Sequence, residues 1–371
     1  MTRPRGPVLL TGAFGHVGRR TLAALIESGY EVVATDQFSS TTAKVAARFA
    51  KTPGTSSRWL DLRDRAAVLQ TVEEVQPTAV IHVAAIIPPL AYRQPTLAYD
   101  VNEGGTAHLV DAVEAIGGAR FVLVSTMGVY GSRNPHTMEP VSSATPPAPC
   151  DVYGGSKLAA EHVVTSSTLD WTILRLGAVV SPELVLETGG DALELESMLP
   201  SDERIHAVDI RDVATALVSA AQADVSGKVL LIGGDATCRL TKEQMGNDVS
   251  AALGIRGGLP AGRRGDPADD GAWFAVDWMD TAQSERLLEF QRHSWHDTLR
   301  SIHDAVGWRR PLLLLASPVA RLALAIRSPY RHDPAGPAQP WQKIAKKWGD
   351  DAVMSDRPAD DAMSHPLATG R

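Results

Sequence analysis

Residues 7–11, Pro-Val-Leu-Leu-Thr, form a short apolar run that leads directly into three evenly spaced glycines, Gly12, Gly15 and Gly18. A helical pattern covers residues 16–28. A strand that must turn through glycine into a helix leaves few folds open. Gly12 permits the tight turn, Gly15 removes a side chain from the surface above it, and Gly18 lets the helix pack closely on the strand. Such a turn presents backbone N–H groups at a helix N-terminus, which suits a pyrophosphate. Phe14, His16 and Val17 sit in the same turn and are candidate contacts for that ligand. A glycine triplet alone is common; the strand before it and the helix after it make it specific.

Further β-rich runs at 31–35, 57–60, 79–83, 120–125 and 171–175 alternate with helical patterns at 63–75, 96–116 and 154–167. Continuous apolar strands separated by helices predict a parallel sheet covered on both faces, an α/β doubly wound (Rossmann) fold that binds ligands beyond the carboxyl ends of its strands. After Arg175 the rhythm changes. Pro182, Gly189, Gly190 and Pro200 predict loop with at most short helices over 181–203. A helix at 210–222 and a strand at 228–232 return to the sheet. A helix at 241–253 opens on a Thr241/Gln244 capping box and stops at Gly254. A loop at 257–271 and helices at 281–290 and 294–306 complete a smaller C-terminal lobe. The expected division is a nucleotide-binding domain over 1–180 plus about 205–235, and a substrate lobe over 181–204 and 236–330. A tail, 331–371, is expected to be mostly disordered apart from a short helix around 341–348.

The chain of 371 residues carries a formal net charge of -7, which excludes nucleic acid as the main partner, since no basic excess can neutralise phosphates. Two cysteines, Cys150 and Cys238, cannot build a disulfide framework, and a cytoplasmic location is expected. The first residues lack the apolar core of a signal peptide. No cluster has the spacing of metal ligands. Residues 311–326 are strongly apolar, but Pro318 and Arg321 interrupt them and they fall short of the roughly 20 residues a membrane span needs. Two short amphipathic helical turns packed on the body or a partner subunit are expected there. The sharper alternatives are a surface anchor at a membrane or a hydrophobic substrate gate.

Asp36 stands 18 residues beyond Gly18, at the end of the second β run. A carboxylate there accepts from a ribose diol and repels a 2′-phosphate, which favours NAD over NADP, with nearby Lys44 and Arg48 keeping NADP open. Tyr153 and Lys157 lie one helical turn apart. Tyrosine is a poor base at its ordinary pKa of about 10, and a lysine on the same helix face lowers it. Ser125 and Thr126 offer hydroxyls at a strand end, where one could hold a substrate oxygen beside the phenol.

The strings Thr11-Gly-Ala-Phe-Gly-His-Val-Gly18, Asp61-Leu-Arg-Asp64, His82-Val-Ala-Ala85, Val101-Asn-Glu-Gly-Gly-Thr106, Val124-Ser-Thr-Met-Gly-Val-Tyr-Gly131 and Tyr153-Gly-Gly-Ser-Lys157 occur in that order. In this combination the chain resembles the extended short-chain dehydrogenase/reductase superfamily, in particular its NAD-dependent epimerase/dehydratase group, over about residues 7–308. The resemblance implies that Tyr153 is the general acid/base and that Lys157 binds the nicotinamide ribose. It places Thr126, in preference to Ser125, as the catalytic hydroxyl. It also implies that Asp61 and Leu62 flank the adenine, that Ala84 and Ala85 line the cofactor cleft, and that Asn102 steadies the site. His82 is expected to pack within its strand. A homodimer built on helices 103–116 and 154–167 is likewise implied.

The chain departs from that group after its sixth strand. Sugar-nucleotide members carry an asparagine-containing string that contacts a diphosphate, where this chain has Leu174-Arg-Leu-Gly-Ala-Val-Val-Ser-Pro182. The acidic residues Glu183, Glu187, Asp191, Glu194 and Glu196 that follow also argue against a nucleotide diphosphate. Trp273, Phe274 and Trp278 either line an apolar pocket or anchor the lobe. Three functions therefore stand: a dehydrogenase/reductase of a secondary alcohol or ketone, placed first; an epimerase or dehydratase of a sugar or sugar nucleotide using tightly bound NAD; and a regulator that senses NAD without turnover.

Overall fold

The computed structural model describes residues 6–187, 189–258, 262–331 and 336–354. Among the described residues ten strands occur in chain order: β1 (Val8–Thr11), β2 (Val32–Asp36), β3 (Thr55–Trp59), β4 (Ala79–His82), β5 (Arg120–Thr126), β6 (Trp171–Leu176), β7 (Ala178–Val180), β8 (Arg204–Asp209), β9 (Lys228–Ile232) and β10 (Arg239–Thr241). Seven form a parallel sheet ordered β3-β2-β1-β4-β5-β6-β9, the doubly wound architecture expected from the alternating pattern. The order reverses between β1 and β4, so a crevice opens at the carboxyl ends of those strands. A second sheet, β10-β8-β7, stands apart from the first.

The pleat explains why the strands read as continuous apolar runs. Val8, Leu10, Val122 and Val124 face a layer holding the helices His16–Glu27 and Ile210–Ala220. Leu9, Phe121 and Leu123 face the opposite layer, made by Arg65–Val75, Gly105–Ala115 and Val152–Thr165. With both faces buried, successive side chains must all be apolar. Truncating one of these core leucines to alanine costs about 2–5 kcal/mol.

Three stretches differ from the sequence expectations. The single helix expected over 96–116 is interrupted. Pro95–Tyr99 and Gly105–Ala115 are α-helical, and between them Asp100–Gly104 winds as a π-turn that aims Asn102 inward. Residues 181–203, expected as loop with at most short helices, hold two short ones, Pro182–Glu187 and Gly190–Met198, with Pro182 at the first position of one and Gly189 capping the other. The two glycines punctuate helices here; they do not dissolve them. Residues 311–326 fall within one continuous helix, Arg310–Arg327, despite Pro318. Next to the proline, Ser317 Oγ donates to Leu313 O and accepts from Arg256 N, tying that turn to the body.

The third correction is the tail. Residues 336–354 are folded: the helix Pro340–Trp348 forms as expected, and the residues around it are ordered too. Val353 bridges Asp151 and Met354 N donates to Cys150 O, while Ile344 and Ala352 are fully buried. The contacts of buried Ile344 and half-buried Trp341 and Trp348 outweigh the composition that suggested disorder. The remainder of the expected tail, 332–335 and 355–371, lies outside the described residues.

Candidate active site

The helix His16–Glu27 begins at Gly15, which caps it with extended backbone and no side-chain hydrogen bond, and no acidic residue sits in its first turn. The three glycines have separate reasons. Gly12 has φ +63°, and a Cβ on it would lie 2.6 Å from Ala84 N; a Cβ on Gly18 would lie 1.9 Å from Gly12 O. Both are required by the protein's own packing. Gly15 is different, because a Cβ there would meet only Gly12 O, at 3.5 Å. The protein leaves that space free above a helix N-terminus whose amides are uncapped, which fits a pyrophosphate.

Asp36 ends β2 beside this turn and accepts from Phe14 N at 2.9 Å and Gln37 N at 2.8 Å. Burial pushes its carboxyl up from the ordinary value, and those backbone bonds oppose the shift. Asp61 accepts from the Arg63 side chain, with one N–O distance of 2.6 Å, and from Gln37 Nε2 at 3.3 Å, while Leu62 is buried. Val17 and His16 open the helix. Burial holds the His16 imidazole below its usual range, and Arg19 and Glu187 flank it. Sequence reasoning missed the aromatic pair next to these acids. Phe38 and the exposed Trp59 meet edge to face at 5.2 Å, and Phe14 meets Trp59 at 5.7 Å. The available signal was an aromatic residue at, or two places beyond, the end of a strand.

Across the crevice, Asn102 fastens the segment after β4 to the helix Val152–Thr165. Its Oδ1 accepts from Ile86 N at 2.7 Å, and its Nδ2 donates to Ile86 O and Ser156 Oγ, each at 3.0 Å. Ala84 and Ala85 lie in the segment so held, with Ala84 N donating to Thr11 Oγ1. His82 is fully buried between Thr11 Oγ1 at 2.6 Å and Thr106 Oγ1 at 2.9 Å. Burial, with Lys157 nearby, pushes its pKa down to about 3, so it stays neutral and structural.

The helix Val152–Thr165 starts at Asp151, whose Oδ1 accepts from Gly154 N at 2.8 Å while Oδ2 accepts from Tyr92 Oη at 2.6 Å. Burial raises Asp151 to about 6 against those hydrogen bonds. That cap fixes the first turn, and with it Tyr153 and Lys157. Burial pushes the Tyr153 phenol up to about 12, opposed by a hydrogen bond shared with Thr126, and Asp151 pushes it further up. Burial pulls Lys157 down to about 8, and Glu161 one turn later pulls it back up.

Thr126 ends β5 and also accepts from Gly128 N at 3.1 Å. The structure therefore brings Thr126, Tyr153 and Lys157 to one edge of the crevice. It sends Ser125 elsewhere: the Ser125 hydroxyl donates to Glu161 Oε1 at 2.5 Å. Glu161 in turn accepts from Arg175 Nε at 2.9 Å and Nη2 at 2.5 Å, and Arg175 Nη1 donates to Tyr130 Oη at 2.7 Å. Sequence reasoning gave Glu161 and Arg175 no role. An arginine inside an otherwise apolar strand was the available signal, because a buried cation needs a buried partner.

Tyr153 packs, partly buried, against the same apolar cluster as Ile86, Phe274 and Trp341. Phe274 stacks on Trp341 at 4.8 Å, and Trp341 Nε1 donates to Ser132 Oγ and Trp273 O. Trp273 and Trp278 serve as anchors, donating to Asp266 O and Leu240 O respectively. The acidic residues after β7 are largely committed: Asp191 to Arg93 and Lys347, Glu194 to Lys347, and Glu196 to Lys242 at 2.7 Å.

Residues 8–233 match the model of the NAD dependent epimerase/dehydratase family. UDP-glucose 4-epimerase 4 of Oryza sativa subsp. japonica is 30% identical over 178 residues, 46% of this chain and 47% of that protein. UDP-glucose 4-epimerase 2 of Arabidopsis thaliana is 33% identical over 180 residues, 46% of this chain and 50% of that protein. The chain thus spans about half the length of these relatives. In fold it is similar to the Bordetella bronchiseptica enzyme WbmG solved in complex with NAD and UDP. The TM-score is 0.67 at 20% identity, covering 83% of this chain and 96% of that one.

Proposed function

The chain belongs to the NAD dependent epimerase/dehydratase family, and from that premise we propose that it is an NAD-dependent epimerase or dehydratase acting at a secondary alcohol carbon. The observation that carries the reading is the Thr126–Tyr153 hydrogen bond with Lys157 one turn on, close to His82, which is hydrogen-bonded to Thr11 at the start of the glycine turn. This reverses the order of the sequence expectations, which placed a simple dehydrogenase first; the family match and its epimerase relatives favour the second. When bound, oxidised NAD supplies the acceptor for a hydride.

The chain's own residues do the rest. The amides around Gly12, Gly15 and Gly18 would hold the pyrophosphate and Asp36 the adenosine ribose, with Asp61, Leu62 and the Phe38–Trp59 pair at the adenine end. Lys157 would donate to the second ribose, and its charge lowers the cost of ionising Tyr153. Tyr153 takes the proton from the substrate hydroxyl, and Thr126 holds that oxygen. Asn102 keeps the Ile86 segment at the edge of the crevice. In this reading residues 1–180 with about 205–235 carry the nucleotide, and 181–204 with 236–330 shape the substrate pocket. Pairing of the helices Gly105–Ala115 and Val152–Thr165 between two copies would give a homodimer.

A second reading, dehydrogenation of an apolar secondary alcohol, is favoured by the apolar cluster that Tyr153 shares with Ile86, Phe274 and Trp341. One assay separates the two. Purified protein with NAD is offered UDP-sugars, free sugars and apolar secondary alcohols, and both product and reduced cofactor are followed. Product without net reduced cofactor supports the epimerase or dehydratase; stoichiometric reduced cofactor supports the dehydrogenase. In either case Tyr153→Phe should lower kcat by about 10²–10⁴-fold with NAD binding retained. Full turnover by that variant would overturn both readings.

A further inference from the structure

The helix Arg310–Arg327 lies beyond the family match and plays no part in the crevice. Its inner side docks on the body through Ser317, and Arg310 donates to Ala251 O. Its outer side is bare. Leu312, Leu315, Val319, Leu322 and Ile326 are all exposed, Leu315 at 81% and Val319 at 71%. At 100° per residue these five fall within a stripe about 80° wide. Ala316 and Ala325, also exposed, extend the apolar arc to about half the helix circumference, and no charged or hydroxyl residue of the helix falls inside it. That face is wider than the narrow seam a two-stranded coil buries, and it suits a helix lying flat on an apolar medium.

Charge points to the occupant. Residues 308–331 contain five arginines and no acidic residue, in a chain whose formal net charge is -7. Two copies of this segment would repel each other, whereas an anionic surface complements it. The indole of Trp308, exposed at 77%, projects at the start of the helix, where an amphipathic ring suits a water–hydrocarbon boundary. Among the described residues no helix is long and apolar enough to cross a membrane. We propose that the helix Arg310–Arg327 lays its apolar face into the surface of an anionic lipid bilayer and holds the enzyme there without spanning it.

Co-sedimentation of the full chain with phosphatidylcholine vesicles, with and without phosphatidylserine, tests this. The protein should sediment with the anionic vesicles and be released as salt rises, because the attraction is screened. Leu315→Glu with Val319→Glu should abolish sedimentation, and Arg309→Ala should weaken it about fivefold. Both positions changed to Glu are solvent-exposed, so the melting temperature and turnover in solution should stay unchanged. Absence of wild-type sedimentation, or equal sedimentation of the double variant, would overturn the proposal. So would a wild-type dimer, seen by light scattering, that the double variant dissolves while vesicle binding persists.

Discussion

Ser125 donates its hydroxyl to Glu161 Oε1 at 2.5 Å, while the next residue, Thr126, shares a hydrogen bond with Tyr153. Two adjacent hydroxyls at one strand end are thus claimed by different turns of one helix, Val152–Thr165: Ser125 by Glu161 and Thr126 by Tyr153. One completes a buried charge network under the crevice, and the other reaches the phenol proposed above to move the proton.

The two hydroxyls should therefore fail differently. Ser125→Ala leaves a carboxylate oxygen short of a donor in a buried site, at a cost of about 1–3 kcal/mol in stability. Turnover per folded molecule should hold. Thr126→Ala loses only the cap on the turn after β5, about 0.5–2 kcal/mol, but should lower kcat by about tenfold or more. Parallel urea titrations and steady-state kinetics check both. Equal kinetic losses in the two variants would contradict the assignment.

Glu161 and Arg175 supply a sharper test of the network. Both are buried, and the guanidinium has no water to fall back on. Glu161→Ala should lower stability by about 3–5 kcal/mol, because it strands that cation. Replacing both residues with methionine should recover most of the loss. A double-mutant cycle by denaturant unfolding measures it, and additive losses would show that the pair is uncoupled.

The sheet was legible in the sequence because its physics is local. Each strand is an apolar run between breakers, and the glycine turn declares its position through spacing alone. Tyr153, Lys157 and Thr126 were legible for the same reason, being fixed by one helical turn and one strand end. Residue chemistry alone left Ser125 and Thr126 equal and only the family resemblance preferred Thr126, since the partner that claims Ser125, Glu161, lies 36 residues away. The folded stretch 336–354 was missed for a related reason. Its Pro- and Ala-rich composition signals disorder, while Trp341, Ile344 and Val353 find partners contributed by remote segments. The continuous helix at Arg310–Arg327 was hidden by Pro318, whose local cost is offset by the contacts of Ser317.

Lys157 gives the site a pH signature. Burial pulls its pKa down to about 8, so the ammonium predominates below that pH and is lost above it. His82 beside it titrates near 3 and contributes no change in the same window. If Lys157⁺ holds the nicotinamide ribose, NAD affinity should be flat below about pH 8 and weaken as pH rises through it. Isothermal titration across pH 6 to 10, roughly spanning this shifted value and the ordinary lysine value, reads the limb directly. Lys157→Met should bind more weakly and show no such limb. A wild-type affinity unchanged across the range would remove Lys157 from the cofactor site.

Asp36 should decide the phosphate state of the cofactor. Its carboxylate is anchored by Phe14 N and Gln37 N at the end of β2, so it cannot swing away from a 2′-phosphate without losing both bonds. Asp36→Ser keeps a short acceptor for those amides and removes the charge. A hydrogen bond to a charged group is worth about 1.5–3 kcal/mol, so NAD affinity should fall roughly 10–100-fold. NADP affinity should rise over the same substitution, because a repulsion disappears and Lys44 and Arg48, on the helix Ser40–Phe49 that follows, are of the right charge to attract the added phosphate. Competitive titration of the two dinucleotides against wild type and variant gives the ratio. A ratio that does not move would place the adenosine ribose away from Asp36.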